Sequence, residues 1–338
     1  MTAAPEIVKV AAVQAAPVHM NLAASIEKAI GLAEQAATKG CDLIAFGEAW
    51  FPGYPFHIWL GPPAWSLQFT KTYFDNSLEL GSPEFHRLMA TARRLGIMMA
   101  LGYSERSAGS LYLGQCLIDR DGELVFARRK LKPTHVERSV FGEGYGDDLT
   151  VVDTALGKIG ALCCWEHLQP LSKYAMYAQG EAIHIAGWPA FSVYREQAFA
   201  LGKEVNMAAS QTYAVEGQCF VVAASSVIDQ ATLDIFENAG GAADLLSLGG
   251  GAAMIFGPDG KRLLDYLPET EEGLQIADLP MAAIVFAKAV ADPAGHYAKP
   301  ESTQLLHHRS DRRPVVGRMP DDADAAVNTS PVNQDVAS

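Results

Sequence analysis

The sequence has few basic residues and no long apolar segment, and both shortages narrow the classes of protein it can belong to. Its 338 residues include 26 Lys and Arg against 39 Asp and Glu, a formal net charge of −13. Nucleic-acid binding needs clustered Lys and Arg to neutralise phosphates, so this balance argues against a nucleic-acid partner. No apolar run reaches the roughly 18–20 residues that span a bilayer, so we also expect no membrane insertion.

Metal-binding motifs and paired cysteines are also missing. There is no CxxC pair, no HExxH and no group of clustered histidines. The five cysteines are odd in number: Cys41, Cys116, Cys163, Cys164 and Cys219. The N-terminal residues MTAAPEIVKVAAVQ run into strand-like sequence without a signal-peptide segment, which favours reduced thiols in the cytoplasm. The sequence therefore predicts a cytoplasmic protein that uses no metal and no cofactor.

What the sequence does contain is an alternation of helical and strand patterns. Asn21 is placed to cap a helix that continues to about Lys39, and Ser82 to cap a second helix that Gly96 ends. Hairpin signals follow at residues 113–127, 149–163 and 253–264, and a longer helical pattern covers residues 194–212. This pattern predicts an α/β protein with mixed sheets covered by helices.

The domain organisation follows from where apolar periodicity stops. It continues without a linker or repeat to about residue 301, and from His307 the chain is rich in Arg, Asp, Asn and Ser. We predict one domain over residues 1–306 and a flexible C-terminal tail over residues 307–338.

Glu48 is the first residue with possible chemistry. It follows a short apolar strand and is bordered by Phe46, Trp50 and Phe51, in the segment FGEAWFPGYPF. Poor solvation there would raise the carboxyl pKa toward the range of a general base. A surface glutamate at a strand end is the alternative.

A basic segment, RRKLKPTHVER, supplies the second candidate. If residues 125–130 form a strand, Arg128 and Lys130 share one face and Arg129 points away. A buried Lys130 beside a carboxylate could stabilise developing negative charge. A solvated basic edge strand is the alternative.

Two adjacent cysteines end the apolar strand of GALCCWEH. A turn from strand to helix can expose a nucleophile and aim backbone N–H groups at a developing charge. Buried structural thiols are the alternative, and the residues alone do not choose between Cys163 and Cys164. A Cys–His dyad would need His135, His167 or His184, and nothing in the sequence orders them into one.

Taken together, these segments resemble the nitrilase superfamily of carbon–nitrogen hydrolases, from about Val8 to Pro300. The segments FGEAWFPGYPFHIWLG, RRKLKPTHVERSVFGEG, GALCCWEHLQPLSKYAMYAQGE and DPAGHYAKPE resemble its nitrilase branch. Within that branch, FPGYPFHIWLG and HIAGWPAF resemble the arylacetonitrile-hydrolysing members. The resemblance places the family's general base on Glu48, its lysine on Lys130, its second glutamate on Glu137 and its nucleophile on Cys164.

The resemblance implies a chemistry, a fold and an assembly. A Cys164 thiolate would attack a nitrile carbon and form a covalent thioimidate, which water converts to a carboxylic acid and ammonia. The implied fold is a four-layer α-β-β-α sandwich. The family also implies a homo-oligomer, built from dimers and extended in some nitrilases to spirals.

The substrate class is the least determined expectation. Aromatic residues suggest a pocket for an aryl group, with Tyr54, Trp59, Trp165 and Trp188 as the predicted substrate-binding residues, although Trp50, Phe56 and any of these could instead pack the core. Alternatives within the superfamily are a cyanide hydratase or dihydratase and an amidase. Outside enzymes, the alternative is a catalytically inactive oligomeric scaffold.

Overall fold

The computed structural model describes residues 5–195, 197–240 and 242–309. Its strands are β1 (Ile7–Gln14), β2 (Leu43–Ala45), β3 (Met98–Ser107), β4 (Ser110–Ile118), β5 (Leu124–Arg129), β6 (Phe141–Gly142), β7 (Val151–Thr154), β8 (Gly157–Cys163), β9 (Ile183–Trp188), β10 (Phe220–Ser225), β11 (Met254–Phe256) and β12 (Gly273–Pro280). Its α-helices are α1 (Leu22–Thr38), α2 (Pro63–Ser66), α3 (Thr70–Asp75), α4 (Pro83–Leu95), α5 (Pro170–Tyr177), α6 (Lys203–Gly217), α7 (Gln230–Asn238) and α8 (Ala282–Val290).

The strands form two halves joined at one place. The order is β5-β4-β3-β2-β1-β10-β9-β8-β7, with β12 pairing with β1, β11 with β10 and β6 with β4. The halves meet where β1 and β10 share a single registered pair, Gln14 with Ser225. A sheet joined so narrowly can fold back on itself and bury one face of each half against the other.

Three of the four hydrophobic cores among the described residues show that the sheet does fold back. One packs α1 and α4 on the outer face of β1–β3, through residues such as Ile26, Leu88 and Met99. The second lies between the halves, where Val10 of β1 and Ile185 of β9 belong to the same cluster. The third packs α5 and α6 on the outer face of β8–β10. Three cores separated by two sheet layers make the four-layer α-β-β-α sandwich, as expected.

The sheet directions bring one set of strand ends to a common edge. Strands β1, β2 and β3 run parallel, and so do β1, β10, β9 and β8. Strand β4 reverses against β3 and β5 reverses again, so β5 runs in the direction of β3. The carboxyl ends of β2, β5, β8 and β9 therefore point the same way, and the residues that follow them can converge.

The capped boundaries of α1 and α4 were predicted correctly, whereas α7, which Asp229 caps, was not predicted. The Asn21 side chain accepts a hydrogen bond from the Ala24 N–H, and the Ser82 hydroxyl accepts one from Phe85. Gly96 ends α4 in the left-handed conformation, with φ 65°. These caps satisfy backbone groups that the helix leaves unpaired, which is why short local motifs specify them.

Other element predictions were wrong or missing. The helix predicted over 194–212 begins only at Lys203, because the segment before it is held by tertiary contacts: Tyr194 has φ 52°, and its hydroxyl donates to the Trp59 carbonyl. The second strand of the hairpin predicted at 253–264 is reduced to one bridge between Phe256 and Arg262. The sequence patterns did not predict β12 or α8.

The end of the described chain still contacts the body. Leu305 packs against the third core, and His307 Nε2 lies 2.6 Å from the Gly146 carbonyl oxygen. The rest of the predicted tail, residues 310–338, lies outside the described residues, so the division after residue 306 stays a prediction. In the described part of the chain, no helix has both the length and the apolar character to cross a membrane.

Candidate active site

Glu48 lies just beyond β2 with no solvent exposure. Its backbone N–H donates to the Trp188 carbonyl at 3.1 Å, and its Oε1 accepts a hydrogen bond from Lys130 Nζ at 2.8 Å. Burial raises the pKa of the carboxyl to about 7, although the Lys130 charge opposes that rise. Among the described residues Oε2 has no hydrogen-bond partner. One oxygen is therefore held by the lysine and the other is available to take a proton.

Lys130 follows β5 directly and lies between two carboxylates. Its Nζ is 2.8 Å from Glu48 Oε1 and 2.8 Å from Glu137 Oε2, and none of its side chain is exposed. Burial alone would lower its pKa, but the charges of Glu137 and Glu48 outweigh burial and hold the pKa well above its usual value. The alternative of a solvated basic strand is thereby excluded for this residue. Lys130 is a fixed buried cation.

Glu137 lies in a short 3-10 helix, His135–Ser139, and accepts three hydrogen bonds. Its Oε2 accepts from Lys130 and from the Thr134 N–H at 2.6 Å. Its Oε1 accepts from the Tyr54 hydroxyl at 2.7 Å, and that hydroxyl accepts from Trp59 Nε1 at 3.1 Å. Glu137 thus fixes Lys130 in place and links it to two aromatic residues.

Cys164 stands at the turn that follows β8, and its backbone has φ 46°. That left-handed conformation is strained for a residue other than glycine and points the side chain away from the strand direction. Burial raises the pKa of the thiol well above its usual value; the Glu48 charge adds to the rise, while Lys130 and a hydrogen bond from the Trp165 backbone N–H oppose it. A base is therefore needed to produce a thiolate here.

The two adjacent cysteines occupy different surroundings. Cys164 lines a cavity, whereas Cys163 belongs to β8, is fully buried and is not among the described residues of the cavity wall. Their separation is a consequence of the turn, because successive side chains of a strand point to opposite faces and the turn redirects the second.

A buried ion pair holds the ends of β5 and β8 together. Arg128 and Glu166 form two hydrogen bonds, at 2.8 and 2.6 Å. Glu166 also accepts the N–H groups of Leu131, at 2.9 Å, and Cys163, at 2.8 Å. The pair therefore fixes the residues next to Lys130 and next to Cys164. The sequence patterns placed Arg128 on the same face as Lys130 but did not identify Glu166.

The cavity at Cys164 is small and mostly apolar. Its volume is about 460 Å³, part of which is open to solvent. The wall consists of Tyr54, Phe56, Trp59, Thr134, Glu137, Cys164, Trp165, Pro189, Ala190, Phe191, Val193, Leu201 and Asn206. The space suits one ring-sized group.

The polar groups of Trp165 and Asn206 in the wall are already hydrogen-bonded to other groups of the protein. Trp165 Nε1 donates to Asn206 Oδ1 at 3.0 Å, and the Asn206 amide donates to the carbonyls of Ala200 and Gly202. With Tyr54 and Trp59 bonded as described above, the wall offers a bound molecule mainly apolar contact. Phe191 and Asn206 were not identified from the sequence, since nothing in a local pattern connects residues after β9 and on α6 to Cys164.

Three of the four aromatic residues predicted to bind substrate line this cavity, and the fourth does not. Tyr54, Trp59 and Trp165 are in the wall. Trp188 is fully buried behind it: its ring stacks on His167, and its Nε1 donates to Ser210 at 3.0 Å. The placement of Trp188 as a direct partner for a substrate ring is corrected, because its side chain points into the third core. Trp50 is likewise a core residue.

The histidines do not form a cysteine-protease dyad. His167 Nδ1 lies 2.7 Å from the backbone oxygen of Cys164 rather than from its sulfur. His184 lies one step further away, 2.9 Å from His167. His135 stacks on Trp59. Within the described residues, no hydrogen bond joins a histidine to the Cys164 thiol.

A four-layer sandwich with a buried glutamate, lysine and cysteine at one sheet edge defines a class of hydrolase, and sequence comparison agrees. The profile of the carbon–nitrogen hydrolase family matches residues 9–289. The chain belongs to the carbon–nitrogen hydrolase family.

Its relatives include several nitrilases. An arylacetone-specific nitrilase from Alcaligenes faecalis is 63% identical over 310 residues, which are 92% of this chain and 87% of that protein. A nitrilase from Pseudomonas syringae is 52% identical over 94% of each chain. An arylacetonitrilase from Aspergillus kawachii is 43% identical over 91% of this chain and 94% of the relative.

Solved structures of the same fold are more distant in sequence. A carbon–nitrogen hydrolase from Helicobacter pylori superposes with a TM-score of 0.67 at 16% identity, covering 84% of this chain and 93% of the other. An amidase from Nesterenkonia superposes with a TM-score of 0.61 at 18% identity, covering 82% and 92%, and carries an acetamide moiety bound to its active-site cysteine. At these identities the likeness supports the fold.

Proposed function

We propose that this protein hydrolyses an organic nitrile to the carboxylic acid and ammonia. The observation that carries the proposal is the 63% identity to a nitrilase over 92% of the chain. The geometry is consistent with it, because Cys164 opens onto the cavity beside the buried cluster of Glu48, Lys130 and Glu137.

In the proposed first step, Glu48 takes the proton of the Cys164 thiol. The free Oε2 is the oxygen available for it, and a carboxyl with a pKa of about 7 can accept and later return a proton near neutral pH. The sulfur then bonds to the nitrile carbon, one carbon–nitrogen π bond breaks, and the nitrogen takes up the proton. Lys130 and the Trp165 backbone N–H stabilise the negative charge as it develops on the nitrogen. The product is a thioimidate on Cys164.

The remaining steps consume two waters. The first water, deprotonated by Glu48, adds to the thioimidate carbon, and the carbon–nitrogen bond breaks to release ammonia and leave a thioester. The second water adds in the same way, and the carbon–sulfur bond breaks to release the acid and restore the thiol. Glu137 keeps the Lys130 ammonium in position through the 2.8 Å ion pair and does not contact the reacting carbon in this scheme.

Arylacetonitriles or related arylaliphatic nitriles are the proposed substrates. The cavity has room for one ring, and its wall presents Tyr54, Phe56, Trp59, Trp165 and Phe191. A methylene between the ring and the nitrile lets the ring rest on this wall while the nitrile carbon reaches the sulfur. Burying one ring contributes on the order of 2 kcal/mol, enough to rank substrates without excluding aliphatic ones.

Ammonia release across a panel of substrates tests this proposal. The panel contains phenylacetonitrile, mandelonitrile, benzonitrile, an aliphatic dinitrile, cyanide and phenylacetamide, with Cys164→Ala protein as the blank. We expect phenylacetonitrile or mandelonitrile to give the highest kcat/KM, with acid as the product. Preferred turnover of phenylacetamide would indicate an amidase, and preferred turnover of cyanide a cyanide dihydratase. No turnover of any member would favour an inactive scaffold.

We also propose that the chain works as a homo-oligomer in the cytoplasm. Helices α5 and α6 cover one outer face of the sandwich, and Leu171, Phe199 and Val215 on or beside them are 69%, 70% and 47% exposed. Large apolar side chains exposed on a protein surface are candidates for contacts that another subunit covers. Light scattering on the purified protein measures the subunit number, and a monomer at micromolar concentration would contradict this proposal. The cytoplasmic location is tested by fractionation of the source cells.

A further inference from the structure

A chain of buried polar side chains begins at the backbone of Cys164 and has no part in the steps above. His167 Nδ1 lies 2.7 Å from the Cys164 carbonyl oxygen, and His167 Nε2 lies 2.9 Å from His184 Nε2. His184 Nδ1 lies 2.8 Å from Glu181 Oε1, and the Tyr213 hydroxyl donates to Glu181 Oε2 at 2.6 Å. All four side chains are at most 1% exposed.

The donors and acceptors of this chain can be assigned from its fixed end. The Cys164 carbonyl only accepts, so His167 carries its proton on Nδ1 and, when neutral, accepts at Nε2. His184 must then donate from Nε2, which leaves its Nδ1 as an acceptor. Glu181 Oε1 must therefore be the donor, as a carboxylic acid. With one proton on Glu181, every contact in the chain is a hydrogen bond.

Burial keeps that proton on the carboxyl group. It raises the pKa of Glu181 to about 8, while hydrogen bonds from Tyr213 and the Gly160 amide oppose the rise. Burial lowers the pKa of His184 well below its usual value, and it does the same for His167. A neutral acid next to a neutral imidazole is therefore favoured over a buried carboxylate next to an imidazolium.

We propose that His167, His184 and Glu181 are positioning residues that hold the left-handed Cys164 turn through its carbonyl, and that they do so only while Glu181 keeps its proton. The proposal rests on the proposed function, because the consequence of losing the turn is a misplaced nucleophile. When Glu181 ionises, Oε1 and His184 Nδ1 face each other as two acceptors at 2.8 Å, and the contact becomes repulsive.

In the described part of the chain, no cation contributes to the pKa of Glu181. The groups that face it are Tyr213 on α6, His184 on β9, the Gly160 amide on β8 and the Cys219 thiol, whose pKa the Glu181 charge helps to raise. Charged groups shift the pKa values of the neighbouring members instead. Arg128 and Glu166 act on His184, Glu166 and Lys173 act on His167, and Lys288 acts on Cys219.

Gly160 leaves the space that the Glu181 carboxyl occupies. A Cβ at position 160 would lie 2.2 Å from Glu181 Oε1 and 2.7 Å from Met176 Cε. A side chain there would displace the carboxyl from His184. The close approach of β8 to the Glu181 carboxyl is a second geometric reason to treat the hydrogen-bonded side chains as one unit.

The test compares the pH dependence of kcat in variants that change the Glu181 proton without emptying the site. In the unaltered protein we expect kcat for phenylacetonitrile to fall as pH rises through about 8, the pKa of Glu181. Glu181→Gln keeps a donor to His184 and an acceptor for Tyr213 but cannot ionise. We expect it to retain kcat at pH 7 within about fivefold and to lose this alkaline fall.

Tyr213→Phe is the matched variant. It is expected to shift the pH at which kcat falls rather than simply to lower kcat. The Tyr213 hydroxyl bond stabilises the carboxylate, so its removal raises the Glu181 pKa further and moves the alkaline fall to higher pH. Glu181→Leu, which can make neither bond, is expected to lower kcat about tenfold or more below pH 8, with KM nearly unchanged and without the alkaline fall. Identical alkaline falls in the unaltered protein, Glu181→Gln and Tyr213→Phe would overturn the proposal.

An infrared measurement separates failure of this proposal from failure of the proposed function. A protonated carboxylic acid gives a carbonyl band distinct from that of a carboxylate. Subtracting the Glu181→Gln spectrum removes the contribution of other carboxyls such as Glu48, and in this difference we expect such a band at pH 6.5 and its loss near pH 8. If the band titrates while no nitrile is hydrolysed, the protonated hydrogen-bond chain is supported and only the proposed function is contradicted. Absence of the band at pH 6.5 in an active enzyme would contradict the protonated hydrogen-bond chain and leave the proposed function unaffected.

Discussion

The Glu48 carboxyl is buried, Lys130 donates to one of its oxygens, and the other oxygen has no partner in the part of the chain that the structure describes. Its protonation therefore governs the proposed attack. A general base works only when ionised, so with a pKa of about 7 we expect kcat/KM to fall as pH drops below 7. Glu48→Gln should remain folded and lose about a hundredfold or more in kcat. The measurement is a pH–rate profile for both proteins, and near-native turnover by Glu48→Gln would remove Glu48 from the mechanism.

Lys130 and Lys132 provide a matched pair, since they are two residues apart in different surroundings. Lys130 is buried between two carboxylates, whereas Lys132 is mostly exposed and paired with Glu143. Lys130→Ala should lower kcat about a hundredfold or more, because the charge that stabilises the attacked nitrogen is gone. The variant should still fold, since a buried carboxyl can take a proton once the cation is removed. Steady-state kinetics and circular dichroism test both statements, with Lys132→Ala expected to keep near-native turnover.

Cys163 and Cys164 allow the same kind of comparison for the nucleophile. Cys164 lines the cavity, and Cys163 packs inside β8. We expect Cys164→Ala to abolish hydrolysis and Cys163→Ala to retain most of it. Mass spectrometry after incubation with a nitrile should find the covalent adduct on the peptide that contains Cys164. The reverse assignment would follow if Cys163→Ala were the inactive variant.

Among the secondary-structure elements, the strand ends decide which residues meet. Glu48 follows β2, Lys130 follows β5 and Cys164 follows β8, three strands that run in the same direction but belong to both halves of the sheet. The Arg128–Glu166 pair then holds β5 and β8 at a fixed distance through bonds to two backbone N–H groups. Removing one partner of a buried pair of this kind costs about 3–5 kcal/mol, because the other charge is left buried without a partner.

The aromatic wall is built from the loop after β2, the turn after β8 and the segment after β9. It predicts an order of mutational effects. Trp59→Ala should raise KM for phenylacetonitrile up to about tenfold, and less for a short aliphatic nitrile, because only the aryl substrate loses ring contact. Trp59→Phe, which keeps a ring but not the hydrogen bond to Tyr54, isolates that bond. Trp188→Phe should change both KM values alike, since Trp188 lies behind the wall. Equal effects of Trp59→Ala on both substrates would exclude ring binding at Trp59.

For the whole molecule, we predict that the fold and the chemistry depend little on residues 310–338. A chain ending at Arg309 keeps the Leu305 packing and the His307 contact with Gly146, so we expect native Tm and turnover. A chain ending at Ser302 loses both contacts and should melt at a lower temperature. Thermal unfolding and light scattering test the fold and the subunit number together. An insoluble product from the Arg309 truncation would show that residues 310–338 stabilise the body.

The sequence by itself determined the local features of this protein. The caps at Asn21, Ser82 and Gly96, the strand ends that carry Glu48, Lys130 and Cys164, and the family resemblance all depend on contiguous segments. A capping side chain or an apolar run acts over a few residues, so it can be identified without knowing the rest of the fold.

Only the tertiary structure decided which way the buried side chains point. All six residues of β9 are buried, because α-helices cover one face and the opposite sheet covers the other. The alternation that would tell the two faces apart is therefore lost from the sequence. Trp188 and His184 face the helices, while Ile183 and Ile185 face the other sheet. That orientation removes Trp188 from the cavity and, through the bond between His184 and Glu181, creates the chain that supports Cys164.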